Sequence, residues 1–257
     1  MSETPMPTVP SADASTEGPR RLGVDIWLDV ACPWCLVGER RFDKVLKDLP
    51  FKEDVDVRFH SFQLDPNAPE RSTMTQPEYL ASRGMDPEKL RAAQEHLQNM
   101  GSELGIHFDE ASAVPSNTFT AHRLIQAAAG AGVQAQVVDA LFSAYFEQGK
   151  DVGDPEQLRA VVLAAGLPQD LTDAVLADPE AFRAEVSEDI SQASRLGISG
   201  VPFYVIDNRY GVSGAQPEEV FSQALTQVFD ELNPQPKLAP LGGAVGQDGE
   251  TCGPNGC

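Results

Sequence analysis

The feature that most constrains this chain is a Cys-x-x-Cys motif between a strand pattern and a helix pattern. Residues 23–31 alternate apolar side chains with others, which predicts a strand. Residues 32–35 read Cys-Pro-Trp-Cys, and apolar residues then recur at helical spacing over residues 42–49. Pro33 suits the first turn of a helix, where its missing N–H costs nothing. The sequence therefore predicts two cysteines at the start of a helix that follows a strand.

This position favours redox chemistry at Cys32 and Cys35. The free N–H groups and partial positive charge of a helix N-terminus stabilise a thiolate, the reactive form in disulfide exchange. One helical turn later, Cys35 can attack a mixed disulfide and release the substrate. We interpret Cys32 as the nucleophile and Cys35 as the resolving thiol. The alternatives are two cysteines that only pack in a core, or half of a zinc site.

The order of the remaining elements indicates a fold. A second strand is predicted over residues 55–64 and ends before Pro66, and residues 67–196 are helical in pattern. A hairpin follows, with strands over 203–206 and 210–213, and then a last helix that reaches about residue 232. This order matches an α/β thioredoxin fold, βαβ then ββα, with a large all-helical domain inserted between the two halves.

Four regions follow from this reading. They are a disordered leader over 1–22, a thioredoxin-like domain over 23–66 and 197–232, a helical insertion over 67–196, and a flexible tail over 233–257. The last helix of the insertion can belong to the thioredoxin core instead. Three Asp-Pro-Glu triplets, beginning at Asp86, Asp154 and Asp178, each predict a helix start with a capping aspartate and a proline in the first turn.

A second candidate element of the site is Val201-Pro202, which follows Gly200 and precedes a predicted strand. The bond before Pro202 is a candidate for a cis peptide, although most such bonds are trans. A cis bond here would present the backbone of Val201 beside the disulfide, where an extended substrate peptide could pair with it. The alternative is a proline that only begins a strand.

Several segments together resemble the DsbA-like thioredoxin superfamily, and specifically the cytosolic FrnE-like oxidoreductases of bacteria. They run in the family's order over residues 23–232. The matching segments cover residues 29–35, 62–66, 117–124, 141–146, 149–153, 200–203 and 213–216. The resemblance implies thiol–disulfide oxidoreductase activity on protein substrates, with isomerase activity left open.

Two comparisons within that superfamily qualify the resemblance. Thioredoxins carry a buried acid six residues before the first cysteine, where this chain has Ile26. Asp25 and Asp29 are near but are expected on the other strand face, so the proton-shuttling acid is unassigned. The 2-hydroxychromene-2-carboxylate isomerases and kappa glutathione transferases usually have serine in place of Cys32. A glutathione-dependent isomerase or transferase is therefore the alternative function, and the two cysteines argue against it.

Other residues are candidate neighbours of the site: Pro33, Trp34, Asp29 and His122. His122 either faces the site and tunes the Cys32 thiolate as a cation, or is a packed structural histidine, and the second reading is favoured. Trp34 either offers substrates an apolar face or covers the helix start.

The other two cysteines, Cys252 and Cys257, form a Cys-x4-Cys pair in the tail, a feature that some FrnE-like proteins share. The intervening turn residues let the two sulfurs approach without strain. We expect this pair to relay electrons to Cys32 and Cys35. The alternatives are a zinc site with all four thiolates as ligands, an inert disulfide, and a peptide that binds a partner.

Charge and length limit the partners. The chain has 19 basic and 39 acidic side chains, a net charge of -20, which disfavours nucleic acid and anionic membranes. It has no apolar run long enough for a transmembrane helix and no apolar segment typical of a secretory signal, so we expect a cytoplasmic protein.

The expected partners are protein thiols and disulfides, with thioredoxin or glutathione as electron partner. No metal and no cofactor besides the disulfide is expected. A non-enzymatic chaperone or binding module is a third hypothesis.

Overall fold

A computed structural model describes residues 18–70, 72–109 and 113–234. Its strands form one mixed sheet in the order β2-β1-β3-β4, in which β1 and β2 are parallel and the other neighbours are antiparallel. The strands are β1 (Leu22–Leu28), β2 (Val55–Ser61), β3 (Phe203–Ile206) and β4 (Tyr210–Ser213). This topology confirms the predicted thioredoxin fold with an inserted helical region. The first strand begins one residue inside the predicted leader, and the second ends three residues earlier than expected.

The helices follow the predicted order. They are α1 (Pro33–Asp48), α2 (Gln76–Ser82), α3 (Pro87–Glu103), α4 (Phe119–Gly130), α5 (Gln134–Phe142), α6 (Pro155–Ala164), α7 (Gln169–Ala177), α8 (Arg183–Arg195) and α9 (Glu218–Leu232). A 3-10 turn, Lys52–Asp54, precedes β2, and a π-type turn, Ser143–Glu147, continues α5. In the described part of the chain, no helix is both long and apolar enough to cross a membrane.

The sheet carries helices on both faces. Along β1, Val24, Ile26 and Leu28 belong to the main core with apolar side chains of α1 and α9. Trp27 points to the opposite face, where it packs with Ala193 of α8. Helix α8 therefore covers the second face of the sheet, and it lies in the part of the chain that was offered as a possible addition to the thioredoxin core.

Two of the three Asp-Pro-Glu triplets begin helices as predicted. Asp86 caps α3, because its carboxylate accepts a hydrogen bond from the Glu88 N–H. Asp154 caps α6, because its carboxylate accepts hydrogen bonds from the N–H groups of Glu156 and Gln157. Each proline occupies the first turn, where no intrahelical hydrogen bond is lost.

The prediction for the third triplet is wrong. Asp178 ends α7, and α8 begins only after Phe182, whose φ of 58° is left-handed. The guanidinium of Arg123 donates to the carbonyl of Asp178, which begins the triplet, to that of Ala181, which follows it, and to that of Val175 in α7. These carbonyls are therefore satisfied by a side chain of α4, which stabilises an irregular turn in place of a helix start.

A polar cluster joins α8 to the sheet on the Trp27 face. The imidazole of His60 lies between Asp25, at 2.8 Å from Nε2, and Asp189, at 2.7 Å from Nδ1. The ring stacks on Trp27 with centroids 4.4 Å apart. Burial disfavours the imidazolium, but the hydrogen bonds to Asp189 and Asp25 outweigh it and raise the pKa of His60 to about 9. The Asp189 carboxylate also accepts from the Ser61 N–H, so the cluster fixes α8 against β2.

We expect the His60→Gln variant to be less stable than the parent, and the loss to depend on pH. Because the folded-state pKa is raised from 6.5 to about 9, the imidazolium contributes fully below pH 6.5 and its contribution disappears as pH rises through 9. The shift corresponds to roughly 3 kcal/mol in the free energy of unfolding. Urea unfolding between pH 6 and pH 10 measures it.

His107→Gln, at an exposed histidine, is the matched control and should differ little from the parent at any pH. A His60→Gln deficit that is the same at pH 6 and pH 10 would contradict the assigned charge state.

Candidate active site

The two cysteines lie at the start of α1. Cys32 is the N-cap residue with extended backbone, and Pro33 occupies the first turn. The Cys35 N–H donates to the Cys32 carbonyl at 3.0 Å, which closes the first turn of the helix. Both side chains are free thiols, 3% and 1% exposed respectively. The pair therefore stands at the positive end of a 16-residue helix, buried beneath the loop that leaves β1.

The Val201–Pro202 loop lies directly beside Cys32. The peptide bond between the two residues is cis, and the Cys32 sulfur is 3.6 Å from the Val201 carbonyl oxygen. The Pro202 carbonyl accepts from the Gly214 N–H at 2.8 Å, which fixes the loop to the residue after β4. The Val201 N–H has no hydrogen-bond partner in the described ranges. A residue with a free backbone donor thus lies next to Cys32.

Gly38 allows α1 to approach this loop. A Cβ atom there would lie 2.5 Å from the Tyr204 hydroxyl and 3.0 Å from the Pro202 ring. Tyr204 is 1% exposed and stacks on Phe42, so its ring cannot easily move away. The absent side chain is what brings the cysteine-bearing helix against the proline loop.

Cys35 differs electrostatically from Cys32. Burial raises the pKa of the Cys35 thiol well above its ordinary value, and its hydrogen bond to Cys32 acts in the same direction. The negative charge of Asp29 raises it further, whereas a hydrogen bond with the Asp29 backbone opposes the shift. Cys35 therefore retains its proton when the pair is reduced.

Asp29 was expected on the strand face away from the cysteines, and this expectation is wrong. The strand ends at Leu28, so Asp29 lies in the turn that leads to Cys32. Its carboxylate is 2% exposed and accepts from the Leu64 N–H at 2.8 Å and the Ala31 N–H at 3.4 Å. Because the strand alternation stops one residue earlier, the turn directs this carboxylate inward. For Asp25 the expectation is correct, since it binds His60 on the other face.

His122 is fully buried on α4 and binds Asp29. The distance from Nε2 to the Asp29 carboxylate is 3.3 Å, and Nδ1 has no partner in the described part of the chain. Of the two readings given to this residue, this geometry agrees with a hydrogen-bonded packing role. Its link to the cysteines passes through the carboxylate of Asp29.

Two adjoining cavities of about 360 and 200 Å³ open beside Pro33. We call them together the trough. Trp34 borders the smaller cavity with 36% of its surface exposed, and its ring lies 5.8 Å from that of His96. The residues that line both cavities are Ala31, Pro33, Gln76, Leu80 and Tyr145.

The sequence reasoning did not single out Glu39, which lies four residues after Cys35 on α1. Burial raises the pKa of Glu39 to about 7, against the opposing effect of the neighbouring Arg40. Arg40 also pairs with Asp139 of α5, so the attraction that it offers to Glu39 is shared. The available signal was a helical spacing that puts an acid on the same side of α1 as Cys35.

We expect Glu39→Gln to stabilise the protein at alkaline pH. A carboxyl whose folded-state pKa is raised from 4.5 to about 7 binds its proton more tightly when folded, so stability falls as pH rises through this window. Above pH 7 the ionised group costs roughly 3 kcal/mol, which the neutral amide avoids. Urea unfolding curves measure this. At pH 4.5 the variant and the parent should have nearly the same free energy of unfolding, and at pH 8 that of the variant should be higher.

Asp173→Asn is the control for removing a carboxylate. Asp173 lies on α7, its hydrogen bond with Arg159 lowers its pKa, and the effect of the variant should therefore change little between pH 4.5 and pH 8. Equal effects of Glu39→Gln at both pH values would show that Glu39 is not held in a destabilising environment.

Within residues 18–70, 72–109 and 113–234, no three histidine, cysteine or acidic side chains gather in a way that could hold a metal ion. Cys252 and Cys257 lie outside the described residues, so the relay and the four-thiolate zinc site have no structural account.

Comparisons with known proteins agree with this fold. The chain matches the family model of the DSBA-like thioredoxin domain over residues 23–226. It is 38% identical to a probable DsbA oxidoreductase from Streptomyces coelicolor, over 92% of this chain and 98% of that one, with a TM-score of 0.76.

Two further solved structures support the fold alone, because their identity is low. One is a 2-hydroxychromene-2-carboxylate isomerase, 16% identical over 81% of this chain and 97% of that one, with a TM-score of 0.61. The other is the cytosolic disulfide reductase DsbM from Pseudomonas aeruginosa with GSH, 20% identical over 80% and 98% respectively, with a TM-score of 0.56. With most of its length matched by the family model and by the Streptomyces structure, the chain belongs to the DsbA-like thioredoxin family.

Proposed function

We propose that this protein is a cytoplasmic protein thiol–disulfide oxidoreductase in which Cys32 is the nucleophile and Cys35 the resolving thiol. The observation that carries the proposal is the asymmetry of the pair. Both cysteines are buried, but Cys32 is the N-cap residue of α1 beside the Val201 carbonyl, whereas Cys35 lies one turn further in and has a raised pKa. A thiolate forms more easily at the first position, and thiolate is the form that exchanges.

The reaction moves two electrons and needs no group beyond the disulfide. A substrate thiolate attacks the Cys32 sulfur of the Cys32–Cys35 disulfide, and Cys35 leaves and takes up a proton. A second substrate thiolate then attacks the substrate sulfur of the mixed disulfide, which forms the substrate disulfide and releases Cys32 as a thiolate. The reverse sequence reduces a substrate disulfide. Begun from reduced Cys32, the same exchange rearranges mispaired disulfides, which is isomerisation.

Substrate binding in this proposal uses the proline loop. The unpartnered Val201 N–H offers one backbone hydrogen bond to an extended peptide next to Cys32. Glutathione or a thioredoxin-type protein restores the redox state of the pair. The resident redox group is the disulfide itself, and no metal takes part.

The first experiment is a glutathione redox series with alkylation and mass spectrometry of each cysteine. We expect Cys32 and Cys35 to titrate together as one two-electron couple. Cys35→Ser should accumulate a mixed disulfide on Cys32, and Cys32→Ser should lose turnover about a thousandfold or more, because the nucleophile is gone.

A second outcome would favour a different enzyme. If Cys35→Ser keeps full activity toward a small substrate in a glutathione-dependent assay, the protein is a glutathione-dependent isomerase or transferase. If the variant without Cys32 and Cys35 protects unfolded protein as well as the parent does, the binding-module hypothesis replaces catalysis.

We propose further that Cys252 and Cys257 relay electrons to this pair. A Gly-rich chain as long as the roughly 20 residues before them has a root-mean-square span of about 25 Å, which is comparable with the size of the domain. The effective concentration of a tethered dithiol is then on the order of millimolar.

The Cys252→Ser, Cys257→Ser double variant tests the relay. We expect its Cys32–Cys35 pair to exchange electrons with glutathione more slowly than the parent pair, because the intramolecular step is lost. Stopped-flow measurement of tryptophan fluorescence, to which Trp34 beside Cys35 contributes, would follow the exchange. A zinc content of one equivalent per chain in the parent, absent from the double variant, would point to a thiolate site instead of a relay.

A further inference from the structure

A separate cavity of about 510 Å³ lies on the other side of the segment that follows β2. Leu64 of that segment lines the trough, whereas Gln63 and Glu70 line this cavity, and no described residue lines both spaces. We call it the arginine cavity, because Arg123 of α4 and Arg183 of α8 form part of its wall. Its volume is within the range of ligand-binding pockets. The space can therefore hold a small molecule, and it shares no wall with the trough beside the cysteines.

Arg123 has hydrogen-bonding capacity left for this cavity. The residue is 4% exposed. Its Nε donates to the Ala181 carbonyl at 2.8 Å, and its Nη2 donates to the carbonyls of Val175 and Asp178. Nη1 makes no hydrogen bond to any residue of the described ranges, although it carries two of the five N–H donors of the guanidinium. An acceptor would stabilise these unpaired donors of a buried cation, and an anion would do so most strongly.

Arg183 brings a second guanidinium to the same wall. It lies over the ring of Phe119 at 5.0 Å from the centroid, and its Nε pairs with Glu180 at 2.9 Å. The Glu180 side chain is 72% exposed, so water screens this pair. Burial and the nearby charge of Arg183 lower the pKa of Arg123, against the attraction of Asp178 and Glu180. An anion between the two guanidiniums would relieve their repulsion.

The cavity also borders the N-terminus of α4. Phe119 and Thr120, the first two residues of this helix, line it. The first turn of α4 contains no acid, and the side chain of its N-cap residue, Thr118, makes no capping hydrogen bond. Within the described residues, the Thr120 N–H has no partner either. The positive end of the helix dipole thus adds to the charge of the two arginines.

The acids near the cavity do not cancel its cations. Among the described residues, Glu70 is the one acid on the wall, and it is exposed. Asp178 and Glu180 lie in the adjoining turn, where the Asp178 carboxylate accepts from the Glu180 N–H at 2.9 Å. The wall therefore has two arginines against one glutamate, in a chain whose net charge is -20. A local excess of positive charge on an acidic protein favours an anionic ligand.

We infer that the arginine cavity binds a small molecule through an oxyanion group, a phosphate or a carboxylate. The oxygens of this group accept hydrogen bonds from Arg123 Nη1, from the Arg183 guanidinium and from the Thr120 N–H. Phe119 and Pro155 give the rest of the molecule an apolar wall. The site is additional to the proposed thiol–disulfide chemistry, and it needs neither cysteine.

Isothermal titration calorimetry of the full-length protein with inorganic phosphate, and separately with succinate, tests the inference. Sodium chloride keeps the ionic strength constant, so that the screening of charges does not change during the titration. We expect at least one of the two anions to bind at one site per chain, with a dissociation constant of about a millimolar or tighter. The anion that binds more tightly shows whether the site selects phosphate or carboxylate.

Three variants locate the site. Arg183→Gln should weaken binding about tenfold, because a charge-assisted hydrogen bond is lost. Glu70→Gln should strengthen binding about twofold or more, because a negative charge leaves the wall. Arg195→Gln is the matched control, since Arg195 lies on the same helix as Arg183, also pairs with an acid, Glu188, and does not line the cavity. Its affinity for the anion should equal that of the parent.

Three results would overturn the inference. They are no saturable binding of either anion, equal weakening by Arg183→Gln and Arg195→Gln, and weaker binding by Glu70→Gln. All three variants change exposed or half-exposed side chains, so their thermal midpoints without anion should equal that of the parent. Cys32→Ser should bind the anion as the parent does. The anion site and the thiol–disulfide function can therefore fail independently of each other.

Discussion

A buried carboxylate, that of Asp29, holds together the segments that meet at the cysteines. It accepts hydrogen bonds from the Ala31 N–H in the loop before Cys32, from the Leu64 N–H after β2, and from His122 of the inserted helices. A carboxylate that is 2% exposed is tolerated only with such partners, so each of the three segments is constrained by the need to supply one. The position of Cys32 therefore depends on the helical insertion as much as on the sheet.

The same loop explains why two cysteines of one motif behave differently. Cys32 caps α1 and has the proline loop beside its sulfur, whereas Cys35 lies one turn inside, 1% exposed and near the negative charge of Asp29. Gly38 keeps the proline loop beside the Cys32 sulfur, because a side chain at this position would push α1 away from Pro202. Burial and the hydrogen bond to Cys32 hold the proton on Cys35.

Much of the fold could be predicted because its signals are local. The strand alternation, the capping aspartates at Asp86 and Asp154, and the proline at the start of α1 each act within a few residues. The failures have distant causes. The Asp178 triplet forms a turn because Arg123, 55 residues earlier in the chain, binds its carbonyl. The raised pKa of Glu39 likewise depends on burial by other elements, although its helical spacing from Cys35 is visible in the sequence. Asp29 is the exception, because its placement follows from the end of β1 at Leu28.

Two neighbouring residues of α4 hold different parts of the structure around the cysteines. His122 reaches the Asp29 carboxylate, and its neighbour Arg123 holds the turn between α7 and α8. Neither depends on α2, which supplies Gln76 and Leu80 to the trough. The hydrogen bonds that hold Asp29 and the turn before α8 thus come from α4, whereas α2 supplies part of the wall of the trough. Substitutions in α2 can therefore change the wall of the trough without removing the hydrogen bonds that hold Asp29.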